Sequence, residues 1–362
     1  MGDIVLESKR FIRKYVYGMC SVEITMPDAE YDEKVKNYLK LNCFEESHNS
    51  GFDEQIKFSI IIDNQSQIEE YSFKKNKFKS SIKIHNKTQY EEEKYVNYYE
   101  ENEILYFYNR YLDTFVKFDK KNKTIVVLGN AENTAKQTLD LMREQIIPKS
   151  IESNGCFFLK CASFIYDNKK NYAGIIMGES NSGKTTVLLN VLKNNLNYKY
   201  VCNSAAYLQK KDKIELMAWR PHMRIRVGTA KQFPEVVSYI KSNCKDSTLI
   251  HQNVSDDAVL LKTYDEFHML FSNEHRIQAI PKKLFFIGET KDSWTSYLRY
   301  GYDSAHPDYL CLEKYKDFSR EYVNSYTFMK EALLEQCEIV RLMVDFEQIA
   351  KTVETIRSSL LE

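Results

Sequence analysis

The polar and apolar positions between residues 56 and 129 follow a short, regular rhythm. The segments IKFSIIID (56–63), SSIKIH (80–85), EILYFYN (103–109), TFVKFD (114–119) and KTIVVLG (123–129) are rich in β-branched and aromatic residues, which suit a pleated, half-buried surface. Clusters of Asn, Lys and Asp such as DKKNK divide them and mark turns. This spacing predicts an antiparallel meander inside a β-rich N-terminal region covering residues 1–130. The stretch YEEEKYVNYYEENE (90–103) carries so many charges that it reads as a solvated segment.

After residue 130 the period lengthens. In NTAKQTLDLMREQII (133–147), Leu139, Met142, Ile146 and Ile147 fall at helical spacing, with Asn133 or Thr134 available as N-cap. CFFLKCASFIY and YAGIIM read as two strands joined by the polar turn DNKKN. From there strands alternate with helices, which predicts an α/β domain over residues 131–362.

Within that domain, Gly178-Glu179-Ser180-Asn181-Ser182-Gly183-Lys184-Thr185 matches the P-loop (Walker A) pattern GxxxxGK[ST] without a mismatch, and Thr186 follows it. The run AGIIM upstream reads as a buried strand. TTVLLNVL downstream places Leu188, Val191 and Leu192 on one helical face. Strand, glycine loop and helix in this order form an anion nest of backbone N–H groups at a helix N-terminus. Gly183 leaves out a Cβ that would block the phosphate, Lys184 neutralises its β/γ oxygens, and the Thr185 hydroxyl is suited to Mg²⁺. Residues 178–186 are therefore the expected nucleotide-binding set.

Charge and cysteine usage narrow the rest. The 51 basic and 51 acidic side chains cancel, which argues against a nucleic-acid binder that works by bulk electrostatics. None of the eight cysteines forms a CxxC pair, so neither a zinc ribbon nor a thioredoxin-type motif is indicated. Residues 1–15 lack the apolar core of a signal peptide, and no apolar run approaches the length of a membrane span. These features predict a cytoplasmic protein with no membrane or nucleic-acid partner, and they leave a homo-oligomer open.

The segment FFLKCASFIYDNKKNYAGIIMGESNSGKTTVLLNVL (157–192) resembles the core of the HPr kinase/phosphorylase-like proteins, relatives of phosphoenolpyruvate carboxykinase. AWRPHMRIRVGTAKQFPEV (218–236) is similar to a W-P-x-x-x-R-x-G-T-x-x-x-x-P segment of an uncharacterised branch, some of whose kin modify peptides. KLFFIGET (283–290) and the strand–helix stretch at 337–361 stand where that branch ends its domain. The likeness spans roughly residues 130–362. It implies an α/β, phosphoenolpyruvate-carboxykinase-like P-loop core that uses ATP and Mg²⁺ to phosphorylate a hydroxyl. The acceptor would be a peptide or protein serine, or a small biosynthetic metabolite.

Two positions depart from that pattern. Where the family carries a pair of aspartates, one of them the base, this chain has Asn203-Ser204, 19 residues after Lys184. An asparagine carbonyl can face a metal or a water but accepts no proton near neutral pH, and a serine is no base without an activating partner. Lys160 stands where relatives often carry a histidine; it could hold a phosphate or cap a strand. Glu179 offers a carboxylate inside the loop itself. Arg220, Arg224 and Arg226 form a basic cluster, with Arg224 and Arg226 on one face if the segment is a strand. One of them suits a γ-phosphate clamp, and paired surface arginines are the alternative. Asp256 and Asp257, 72 or more residues after Lys184, read as a solvated helix start. The expected catalytic set is Lys184, Asn203, Ser204, Arg226 and Glu179, with Thr185 and Asn203 toward the metal. Loss of the base opens two other readings: a nucleotide-binding pseudokinase, or nucleotidyl transfer or carboxylate activation by ATP.

Overall fold

The computed structural model describes residues 10–41, 56–64, 78, 80–85, 92–152, 155–179, 181–193, 195–219, 223–243, 255–256, 259–262, 276–288, 298–299, 310 and 321–361. The chain divides into two compact units. One comprises residues 1–40, 44–154 and 301–317, the other 41–43, 155–300 and 318–362.

The first unit is built on an eight-stranded sheet in the order β1-β2-β3-β8-β7-β6-β5-β4. Its strands are β1 Phe11–Tyr17, β2 Cys20–Met26, β3 Ile56–Asp63, β4 Ser80–His85, β5 Lys94–Glu101, β6 Ile104–Asn109, β7 Thr114–Asp119 and β8 Thr124–Leu128; helix α1 (Ala29–Leu41) follows β2. The expected meander is present from β4 to β8, all antiparallel. β3 departs from it and lies parallel to both β2 and β8. The segment read as solvated contains β5. There burial outweighs the charge, because Val96 on one face and Tyr99 on the other are buried while Asn97 and Glu100 are exposed, and Tyr99 stacks on Tyr106 with ring centroids 4.6 Å apart.

The helical segment starts earlier than its periodicity suggested. Helix α2 (Ala131–Asp140) is capped by Asn130, not Asn133 or Thr134, and the Asn130 side chain accepts from the Asn133 N–H at 2.9 Å. It continues through a π-helical turn (Leu141–Ile146) into α3 (Ile147–Glu152). Pro148 has no N–H to give this turn, and the Ile147 N–H reaches back five residues to Met142 O. This segment packs with the strands before it. Gln137 Oε1 accepts from Asn109 Nδ2 (2.8 Å) and Thr114 Oγ1 (3.0 Å), all buried. The boundary expected at 130/131 thus differs from the division of the chain, which keeps this segment, to residue 154, with the first sheet.

The second unit is α/β. Its strands are β9 Phe157–Leu159, β10 Ala162–Asp167, β11 Tyr172–Met177, β12 Lys199–Cys202, β13 Ala205–Lys210, β14 Ile214–Trp219, β15 Met223–Arg226, β16 Val259–Lys262, β17 Gln278–Ile287, β18 Leu298–Arg299 and β19 Glu338–Leu342. Its helices are α4 Lys184–Lys193, α5 Val227–Lys231, α6 Pro234–Asn243, α7 Glu321–Gln336 and α8 Ile349–Leu361. The main sheet runs β12-β10-β11-β17-β14-β13-β9-β18, with β19 also on β17. β11 and β19 lie parallel to β17. β10 is antiparallel to both β11 and β12, so β12 points the same way as β11.

Alternate residues cover the two faces of this sheet. Phe164, Ile176 and Phe285 join Val187, Leu188 and Val191 of α4 and Val353 and Ile356 of α8 in one core. Ile165, Ile175 and Phe286 join Met329, Leu333 and Cys337 on the opposite face. The result is a layered α/β/α core. The long apolar segment read as one strand is two, broken at Lys160-Cys161, so that β9 pairs with β13 and β10 with β11. Among the described residues no helix is long and apolar enough to cross a membrane.

Candidate phosphate-binding site

The loop at 178–183 connects β11 to α4, the strand–loop–helix context its pattern requires. Gly183 takes φ +90°, where an L side chain is strained. A Cβ there would also fall on the ring of Phe346. At Gly178 a Cβ would crowd Ser182 Oγ and the Ile287 backbone. Both glycines are thus required by close approach, and Asn181 between them takes φ 69°. Ser180 lies outside the described residues.

Lys184 opens α4 and folds back over the loop. Its ammonium donates to the carbonyls of Gly178 (2.7 Å) and Glu179 (2.6 Å). Burial, and then the like charge of Lys160, lower its pKa from 10.5 to about 8. The like charge of Lys160 that acts on Lys184 favours an anion at this place. The break between β9 and β10 is what delivers Lys160 to this place. Ser182 Oγ is buried without a hydrogen-bond partner, which in a P-loop is a hydroxyl suited to a phosphate oxygen.

Arg226, at the end of β15 and the start of α5, donates through Nη2 to Asn181 Oδ1 of the loop. The structure therefore brings one member of the arginine cluster to the phosphate loop. Arg220 and His222 lie outside the described residues, and of Arg224 only the backbone, in β15, is described. Thr185 is half-buried in the first turn of α4. Thr186 is buried, and its hydroxyl lies 3.2 Å from that of Thr229 on α5; it ties two helices together. Glu179 is exposed, and its charge acts on Lys184 by raising its pKa slightly against the larger lowering effects.

Asn203 and Ser204 form the bend between β12 and β13. β12 and β11 point the same way on either side of β10, so this bend and the P-loop share one edge of the sheet. β13 pairs with β9 at Ala206–Leu159, and β12 with β10 at Ser163–Cys202. The Lys160-Cys161 crossing and the Asn203-Ser204 bend therefore run side by side, with Cys161 Sγ 3.7 Å from Cys202 Sγ. Asn203 is 3% exposed. Ligands of open α/β sheets bind off the carboxyl ends of parallel strands, and β11, β12, β17 and β19 all end here.

Asp256 is engaged on α5. It is exposed, and its carboxylate takes the Lys231 ammonium at 2.6 Å while its carbonyl accepts from the Gly228 N–H at 2.9 Å. Among the described residues no group of three His, Cys, Asp or Glu side chains is placed to hold a metal. A Mg²⁺ here would be carried by the nucleotide's own oxygens, with the Thr185 hydroxyl and the Asn203 carbonyl as the protein donors.

No protein-family model matches the chain, and no curated protein is detectably similar to it in sequence.

Proposed function

We propose that this chain is an ATP- and Mg²⁺-dependent phosphotransferase that acts on a hydroxyl, an HPr-kinase-like P-loop enzyme. The observation that carries the reading is the P-loop between β11 and α4, with Lys184 folded over the loop carbonyls, the charge of Lys160 acting on it, and Arg226 tied to the loop through Asn181. The loop amides and Ser182 hold the phosphates, and Lys184 with Lys160 offsets their charge. Mg²⁺, when bound, neutralises charge on the transferred group. Arg226 needs only to exchange Asn181 for a phosphate oxygen to clamp the far end of the chain.

The acceptor belongs at the Asn203-Ser204 bend, on the same sheet edge. Without an aspartate there, no side chain of this bend takes the hydroxyl proton, so transfer relies on positioning and charge stabilisation, the larger contributions in phosphoryl transfer. The acceptor class is a peptide or protein serine or a small metabolite hydroxyl.

One observation favours a second reading. A buried, neutral Asn203 in place of a base fits a nucleotide-binding pseudokinase that regulates a partner. γ-Labelled ATP incubated with the protein and a lysate as acceptor pool separates the two. Label on an acceptor, lost in Lys184→Ala, supports the kinase. ATP that is bound and left intact by wild type, and not bound by Lys184→Ala, supports the pseudokinase.

A further inference from the structure

We infer that Phe346 is the platform for the base of the nucleotide, an assignment that rests on the nucleotide reading of the P-loop. The ring lies where a Cβ on Gly183 would fall, at one of the two loop glycines that close approach requires. It is 46% exposed, so it is not part of the core beneath. The turn that presents it is fixed. Asp345 Oδ1 accepts from the Glu347 N–H at 2.9 Å, Asp345 O from the Gln348 N–H at 3.2 Å, and Met343 O from Thr352 Oγ1 at 3.4 Å. Val344 packs into the core shared by α4 and α8. Gly288, at the end of β17, ties to this turn's origin by donating to Leu342 O at 3.3 Å.

The order of strands gives the direction. Lys160 leads into β10, which pairs with β11 on one side, and the Phe346 turn follows β19, which pairs with β17 on the other side of β11. A nucleoside triphosphate is charged at one end and aromatic at the other. With its phosphates at Lys184 and Lys160, its base extends toward β19, where a preset ring offers a stacking face at little ordering cost. Every base has a π-face, so this contact adds affinity without choosing among bases.

The test compares ATP with inorganic tripolyphosphate, which has the charge but no base, by calorimetry in Mg²⁺. Phe346→Ala is expected to weaken ATP by roughly 5- to 150-fold, the range for loss of one base–aromatic stack, and to leave tripolyphosphate affinity unchanged. Phe346→Leu, which keeps apolar bulk at the turn, is expected to weaken ATP selectively as well. Equal weakening of both ligands would mean that the ring only shapes the loop, and would overturn the inference while the phosphate site survives. So would wild-type affinity for ATP no greater than for tripolyphosphate, or ATP affinity unchanged in Phe346→Ala. Failure of the wild type to bind either ligand would overturn the nucleotide reading, and the inference with it.

Discussion

The pH dependence of nucleotide affinity follows from the surroundings of Lys184. Burial and the neighbouring Lys160 bring its ammonium from 10.5 down to about 8. Only the protonated form pairs with phosphate, so the apparent affinity scales with the protonated fraction of the free protein. For a group titrating at about 8, that fraction falls from roughly three quarters at pH 7.5 to roughly 3% at pH 9.5, a loss of about 25-fold in affinity. Binding raises the pKa again, so the complex takes up a proton in this window. Calorimetry in buffers of different ionisation enthalpy reads that uptake directly. The folding linkage has the opposite sign. The folded pKa lies below the unfolded one, so the unfolded chain binds more protons between about pH 8 and 10.5, and this group makes the free protein more stable as pH rises through that range. Lys160→Met removes the like charge, so the descent in affinity should move to higher pH even as affinity at pH 7.5 falls. Affinity that stays flat from pH 7.5 to 9.5, or a descent that does not move in Lys160→Met, would refute the reasoning.

Three further outcomes are expected. Asn203→Asp with Ser204→Asp should raise phosphoryl transfer by roughly 10²–10⁴-fold, the usual contribution of a general base; steady-state rates that do not rise would remove the bend from the acceptor site. Gly183→Ala should abolish nucleotide binding and lower thermal stability, since φ +90° costs a non-glycine residue about 1–2 kcal/mol before its Cβ meets Phe346, and retained binding in a titration would contradict the loop geometry. Thr186→Val should cost about 0.5–1.5 kcal/mol for the lost, partly buried hydrogen bond, non-additively with Thr229→Val in denaturant unfolding, and leave nucleotide affinity unchanged; weakened affinity would place Thr186 among the phosphate ligands.

What was legible in the sequence was what short stretches decide. β3, β4 and β7 have the bounds that their β-branched and aromatic runs between polar clusters predicted, because such a run and turn-forming neighbours suffice to define a strand. The P-loop was legible because its glycines, lysine and flanking apolar runs all act within a few residues of one another. β5 was hidden by its charges, Lys94, Glu100 and Glu101, which stand at its two ends while Val96 and Tyr99 between them are buried. The parallel pairing of β3 with β2 and β8 joins strands far apart in the chain, and no local pattern carries it. The same holds in the site. Lys160 stands out in the sequence as a residue, but its effect on Lys184 depends on the β9–β10 break. The Thr186–Thr229 contact and the ring of Phe346 over Gly183 join segments 43 and 163 residues apart. Only the folded sheet edge puts them together.

The most direct test of the central claim is phosphorus NMR of ATP and Mg²⁺ with the purified protein, a lysate as acceptor pool, and Lys184→Ala as control. The account predicts ADP and a new phosphate ester, both lost in the variant. AMP with pyrophosphate, or ATP left unchanged by a protein that binds it, would contradict it.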